Sequence, residues 1–329
     1  MFEQLRNKTF LSVTLILLAV VSACSQEAQS VNEVNPEIIF AQEKHEGKLT
    51  VHFFHLEYPE RYEKTGESIL ITTPKGQTIL IDAGIPKVGP VVNDYLDELG
   101  IDKIDYAMPS HPHIDHIGGF LTLFEKKEIG KVIEINLPHE ESEVYQVYSE
   151  MIEKNNFTVE YAEEGNVYKI EDNITLEILN PMKGLSPETY DFTSLTPGII
   201  NDVSMVIKMT HKDNIFLFTG DIYKGVEHEL IQKYGDELDV DVVVSPHHGN
   251  GTSNSDKFIE TTNPDITLIP SNIVFDLNVV EAYKEHGSEV FISKYDGNVL
   301  LTSDGKKIDV YREKESTEIE DDDLDGIEE

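Results

Sequence analysis

Apolar positions in this chain fall into short, largely β-branched runs closed by turn-forming residues, and a few stretches between them carry helical spacing. On that pattern "LTVHFFHLE" (49–57), "SILITTP" (68–74) and "QTILIDAG" (77–84) are predicted strands. In "VVNDYLDELG", Val91, Val92, Tyr95, Leu96 and Leu99 share one side of a helix and Gly100 stops it. "IDYAMPSH" is a strand, "GGFLTLFEKKEIG" starts a helix, "KVIEINLP" is a strand and "EVYQVYSEMIEKNN" a helix, followed by strand-turn-strand material through "NITLEILNP". "VSMVIKMTHKDNIFLFTGD" reads as a hairpin around Lys212-Asp213-Asn214, and "DVDVVVSPHHG", "DITLIPSN", "EVFISK" and "GNVLLTSDGKKIDVY" add further strands. Strands dominate, with helices inserted between them, which suits an α/β sandwich of two sheets with helices outside.

The ends read differently. Arg6 and Lys8 precede an apolar run from Phe10 to Ala23, about 14 residues, where a membrane span needs roughly 20. This is the pattern of a secretory signal segment over 1–23. It closes on Val21-Ser22-Ala23-Cys24, which resembles a bacterial lipoprotein lipobox; the resemblance implies a lipidated Cys24 and an extracytoplasmic protein anchored to the bacterial cell membrane. Cys24 is the only cysteine, so no intrachain disulfide forms and no thiolate serves a site elsewhere. Residues 24–46 are polar and lack apolar periodicity, as expected of a flexible tether; 47–312 form one large domain; 313–329 are a disordered acidic tail. Within the tail, Asp321-x-Asp323-x-Asp325-Gly326 opens like a calcium loop, but the chain stops before a twelfth-position glutamate.

Charge then narrows the partners. The chain carries 26 Lys+Arg against 62 Asp+Glu, a net −36; without residues 1–23 it becomes 24 − 61 = −37. Such a surface repels polyanions, so a dedicated nucleic-acid partner is disfavoured unless a local basic channel exists, for which Lys126, Lys127 and Lys131 are the candidates.

Against that background the stretch "SHPHIDHIGG" concentrates three of the 12 histidines and an aspartate at a strand end. His111 and His113, two apart in extended chain, project to one side and can share a metal. Asp115 and His116 follow the turn and can face a second one, while Gly118 and Gly119 let the backbone pass close to the site. Imidazole and carboxylate donors without thiolate suit zinc, manganese or iron. Three more strand ends carry suitable residues. Asp221 in "LFTGD" can bridge two metals, although an aspartate there serves equally as a cap. His247 and His248 in "VVVSPHHG" have no apolar face to bury them. Asp82 in "TILIDAG" can orient a metal-held histidine from behind.

Taken in order, Asp82, "HPHIDH", Asp221 and "HHG" resemble the metallo-β-lactamase-fold superfamily over nearly all of 48–311. Within it, "GESILITTPKGQTILIDAG", "YLDELGIDKIDYAMPSHPHIDHIGG" and "SPHHGNGTSN" are most similar to the hydrolase domain of ComEC-type competence proteins and their stand-alone secreted relatives. The resemblance implies an αββα sandwich of two mixed sheets. It implies two divalent metal ions, zinc foremost with manganese or iron as alternatives. His111 and His113 would hold the first; Asp115, His116 and His248 the second; Asp221 would bridge them. His247 would touch the substrate's phosphate, helped by Thr252 or Ser253, with Asp115 and His247 at the catalytic centre. Many members carry a further histidine where this chain reads Ile200-Asn201-Asp202-Val203-Ser204, so Asn201 stands as a weaker substitute. His139 is expected in a solvent-exposed loop. The implied activity is hydrolysis of a small phosphodiester or related ester by metal-activated water. Alternatives are a carboxylic-ester, lactone or thioester hydrolase, a nuclease, and a non-catalytic ligand-binding lipoprotein.

Overall fold

A computed structural model describes residues 32–57, 64–189 and 195–316. The expected signal segment with Cys24, and the acidic tail from residue 317 with its aspartate repeat, lie outside the described residues.

The strands are β1 (Asn32–Val34), β2 (Leu49–Phe53), β3 (Ile69–Thr72), β4 (Thr78–Ile81), β5 (Lys103–Met108), β6 (Glu128–Glu134), β7 (Val159–Tyr161), β8 (Val167–Glu171), β9 (Ile174–Asn180), β10 (Val206–His211), β11 (Asn214–Phe218), β12 (Val242–Val244), β13 (Ile266–Ile269), β14 (Glu289–Ile292), β15 (Val299–Ser303) and β16 (Ile308–Arg312). They build two sheets, one ordered β1-β16-β15-β2-β3-β4-β5-β6-β7 and the other β14-β13-β12-β11-β10-β9-β8. Each is mixed. β2, β3 and β4 run antiparallel and β4 to β7 parallel; β8 to β11 run antiparallel and β11 to β14 parallel.

The near-continuous apolar strands follow from burial on both faces. Alternate residues point to opposite sides. Ile69, Ile71, Ile79 and Ile81 face Leu176, Ile178, Ile207, Phe216 and Phe218 across the sandwich. Leu70 and Leu80 point the other way, under the helices Gly89–Glu98, Phe120–Lys126 and Glu143–Asn155. Val206, Leu217 and Val243 do the same on the second sheet, beneath Lys224–Tyr234, Asp256–Thr262 and Leu277–Glu285. The result is the expected αββα sandwich.

Three boundaries differ from expectation. The segment assigned to the tether is structured from residue 32: β1 pairs in parallel with β16, Asn32 opposite Val310, and the turn of helix Pro36–Ile39 buries Ile39 against Leu300 and Tyr311. A three-residue strand reading "NEV" carries no alternation of its own; its partner lies at the far end of the chain. At the C-terminal side, Glu313 remains on the body, accepting from the Asn298 amide at 2.9 Å. The hairpin turn is Lys212-Asp213, with Asn214 already paired in β11.

The N-terminal segment is held partly by His52, which is fully buried and donates Nε2–H to the Ile39 carbonyl at 2.8 Å. Burial pushes its pKa down to about 4, against the opposing pull of that hydrogen bond. A histidine kept neutral in the fold but protonating near 6.5 when unfolded stabilises the fold above pH 6.5 and loses that contribution as pH falls toward 4. The loss should approach about 3 kcal/mol by pH 4. Denaturant unfolding of wild type and His52→Gln at pH 7 and pH 4 should show the stability gap between them shrinking by that order; a pH-independent gap would refute the assignment.

Candidate metal centre

Because β4 and β5, like β11 and β12, are parallel neighbours, their C-terminal ends open on one rim, where loops of α/β sheets form clefts. β4 hands over to Asp82, β5 to Ser110–His113, β11 to Asp221 and β12 to Pro246–Gly249. Asp115 and His116 sit on the single helical turn Ile114–Ile117. That turn passes close against the β4 loop: a Cβ on Gly119 would lie 1.9 Å from the Ala83 carbonyl oxygen. His247 and His248 both adopt left-handed backbone conformations, φ 52° and 54°. Non-glycine residues occupy that region at a cost and persist there when their surroundings fix them. Here the His247 amide donates to the Gly220 carbonyl at 3.1 Å and the Asn250 amide to that of His247 at 3.0 Å.

The side chains converge on two overlapping sets, Asp115–His116–Asp221–His248 and His111–His113–Asp221, each with its candidate donor atoms within 4.8 Å of one another. Asp221 divides its oxygens between them. Its Oδ1 lies 3.4 Å from His116 Nε2 and 3.3 Å from His248 Nε2; its Oδ2 lies 3.9 Å from His111 Nε2 and 3.7 Å from His247 Nε2. Both Asp221 oxygens, His116 Nε2 and His248 Nε2 are buried without a hydrogen bond. Buried polar atoms are seldom left unpaired, so a convergent group of orphans fits a cation well. The far nitrogens, in contrast, are all engaged: His116 Nδ1 with Asp82 Oδ2 at 2.8 Å, His248 Nδ1 with the Pro270 carbonyl at 2.9 Å, His111 Nδ1 with Ser110 Oγ at 3.0 Å. Such back-bonds fix ring orientation and leave Nε2 of His116 and His248 for the ion, while His111 Nε2 lies 2.9 Å from His113 Nδ1. Asp82 is itself fixed by the Ser110 amide and hydroxyl at 2.7 and 2.8 Å.

Electrostatics treat the histidines differently: burial works against charge on His116, but Asp221, Asp82 and Asp115 push it well above the usual imidazole range. Burial pushes His113 and His247 down to about 4, leaving them neutral at pH 7. Burial alone would raise the Asp221 carboxyl, but His248, His116 and Lys64 hold it well below the usual carboxylate range. Behind them, burial and the neighbouring Asp82 push Glu67 up.

Other expected residues fall less uniformly. His247 stands outside both sets, its Nδ1 2.8 Å from Thr252 Oγ1, with Thr252 exposed at the mouth. Ser253 corrects the expectation of a substrate-facing hydroxyl: it is fully buried and donates to the Ile222 carbonyl at 2.7 Å. Asn201 is buried and donates to the Tyr223 hydroxyl at 3.1 Å, while its Oδ1 is unpaired. His139 is half-buried rather than exposed, its ring 6.1 Å from that of His113 and Nδ1 3.4 Å from the Pro112 carbonyl. Sequence reasoning missed Lys64, whose Nζ is 2.7 Å from Asp115 Oδ2, and the aromatic walls Tyr223 and Phe275 beside His247 and His248. None of the three lies in a motif or at a predicted strand end.

Comparison with known proteins gives the family. The family model described as "Metallo-beta-lactamase superfamily" matches residues 62–269. Competence protein ComA of Neisseria gonorrhoeae is 25% identical over 207 residues, covering 63% of this chain and 26% of its own length. ComE operon protein 3 of Bacillus subtilis (strain 168) is 25% identical over 183 residues, covering 54% and 21%. The chain therefore spans about a quarter or less of those relatives. Among solved structures, zinc-bound PqqB from Methylobacterium extorquens aligns at 9% identity with a TM-score of 0.42, over 71% of this chain and 87% of that one.

Proposed function

Because the chain belongs to the metallo-beta-lactamase superfamily, we propose that it is a metal-dependent hydrolase of small phosphodiesters or related esters. The observation that carries this reading is the division of Asp221, one oxygen toward His116 and His248 and the other toward His111. Asp115, His116, Asp221 and His248 would hold one divalent ion, His111, His113 and Asp221 another; zinc is the first choice for these donors, with manganese or iron as alternatives. When bound, such ions act as Lewis acids and lower the pKa of water toward neutrality. The chain's own residues do the rest. Asp82, Ser110 and the Pro270 carbonyl hold the imidazoles in register. His247, tied to Thr252, presents Nε2 beside Asp221 and would grip a phosphoryl oxygen, with the Thr252 hydroxyl at the entrance. Tyr223, 5.1 Å from the His247 ring, and Phe275 wall the cleft.

The preference for small substrates rests on charge. Two of the three lysines of the candidate basic channel are engaged by local partners: Lys127 pairs with Asp97 and the Ile101 carbonyl, and Lys131 with Glu160 at 2.7 Å. With a net −36, DNA should meet repulsion that reaches about 8 Å at physiological salt. A panel of a chromogenic phosphodiester, carboxylic esters and labelled DNA, run with and without chelator, tests the proposal. Chelator-sensitive phosphodiester hydrolysis is expected, with DNA binding that does not tighten at low salt. Turnover of carboxylic esters alone would sink the phosphodiester assignment; tight, salt-sensitive DNA binding with strand cleavage would make the protein a nuclease.

The same proposal places the protein outside the cytoplasmic membrane on a lipidated Cys24. Among the described residues no helix is long and apolar enough to cross a membrane. Wild type should fractionate with membranes and Cys24→Ala should not; wild type free in the medium without lipid would argue for ordinary secretion.

A further inference from the structure

Lys64 places an ammonium among the oxygens that the metal reading assigns to the ions. Its Nζ is 2.7 Å from Asp115 Oδ2 and 3.6 Å from Asp221 Oδ2, with the Phe275 ring centroid 5.9 Å away. Burial works against the charge, but Asp221 and Asp115 more than offset it, and the pKa of Lys64 is raised. This lysine is thus a firm cation at a point where Asp115 and Asp221 concentrate negative charge.

We propose that Lys64 is a built-in competitor for the divalent ion of the Asp115–His116–Asp221–His248 set and so limits how tightly that set binds metal. The inference rests on the metal reading of the site. An ion ligated by Asp115 at about 2.1 Å and an ammonium 2.7 Å from the same oxygen would be less than 5 Å apart. Repulsion between a divalent and a monovalent cation at that range is many times thermal energy, even with generous screening. The ion and the ammonium therefore oppose each other at Asp115, and loading is easier when the lysine withdraws. Its side chain is 32% exposed, and a four-carbon stem lets the ammonium swing toward water without moving the backbone. Arginine at this position would keep the charge; methionine would keep the stem and remove it.

Titration of metal-depleted, full-length protein with zinc, followed by calorimetry and thermal melting, tests this. Lys64→Met should tighten the weaker zinc-binding step at least tenfold. It should also lower the melting temperature of the metal-depleted protein, whose carboxylates lose their counter-charge, while leaving the zinc-loaded protein close to wild type. Lys64→Arg should track wild type in both measurements. Unchanged or weaker zinc binding by Lys64→Met, with wild type still binding, would overturn the competition and leave the metal reading intact. Zinc binding by neither protein would overturn the metal reading and this inference with it.

Discussion

Asp221→Ala is expected to lose bound metal and hydrolysis together, with affinity falling by more than about 100-fold. Removing a residue that merely orients a ligand typically costs 10–100-fold, and Asp221 faces both donor sets directly, Oδ1 toward His116 and His248 and Oδ2 toward His111. A variant such as His113→Ala touches one set alone and should leave the other able to bind. The metal-depleted Asp221→Ala protein should also be less stable than its wild-type counterpart, because Lys64, 3.6 Å from Asp221, keeps its charge and loses one of its two partners. Elemental analysis of purified protein alongside turnover decides the matter. Retention of tightly bound metal at wild-type stoichiometry would show that Asp221 is not a shared ligand.

Gly66→Ala should be nearly as damaging, although Gly66 contributes no ligand. Its backbone is left-handed, φ +82°, and an added Cβ would lie 1.8 Å from the Asp115 carbonyl oxygen and 2.9 Å from the Asp115 Cβ. A left-handed alanine costs about 1–2 kcal/mol, and an overlap with backbone adds about 1–3 kcal/mol more as neighbours are displaced. Here the displaced neighbour is Asp115, so metal affinity should fall with stability. Gly76→Ala supplies the control, because Gly76 has nearly the same φ, +84°, with nothing within 4 Å of its Cβ. Unfolding curves should separate the two variants by at least about 1 kcal/mol. If they coincide, contact with Gly66 does not position Asp115.

How much of this could be read from the sequence depended on whether a residue's role was local. His111, His113, Asp115 and His116 announce themselves because four donors within six residues need no tertiary information to be adjacent. Asp82, Asp221 and the His247–His248 pair were legible at one remove, since a strand that stops on a polar residue points to a rim, and parallel strands stop on the same rim. Lys64 could not be found that way. Nothing about a lysine before Thr65-Gly66 says that its ammonium will reach Asp115, 51 positions on. The error at Ser253 has the same root: composition shows a hydroxyl near the histidines, but only packing decides that it turns inward to Ile222. β1 was missed because its pairing with β16 is long-range and two of its three residues, Asn32 and Glu33, are polar.

That strand changes the mechanics of the proposed anchor. If the leash ran to residue 46, 22 residues of slack would separate Cys24 from the body, a contour of about 75 Å at roughly 3.4 Å per residue. With Asn32 fastened along β16, eight residues lead from Cys24 to the body, a reach of no more than about 28 Å. A lipidated Cys24 would therefore moor the body close to the bilayer, unable to range far from it. Its substrates would have to come to the envelope surface, as solutes passing through it or as groups displayed on it.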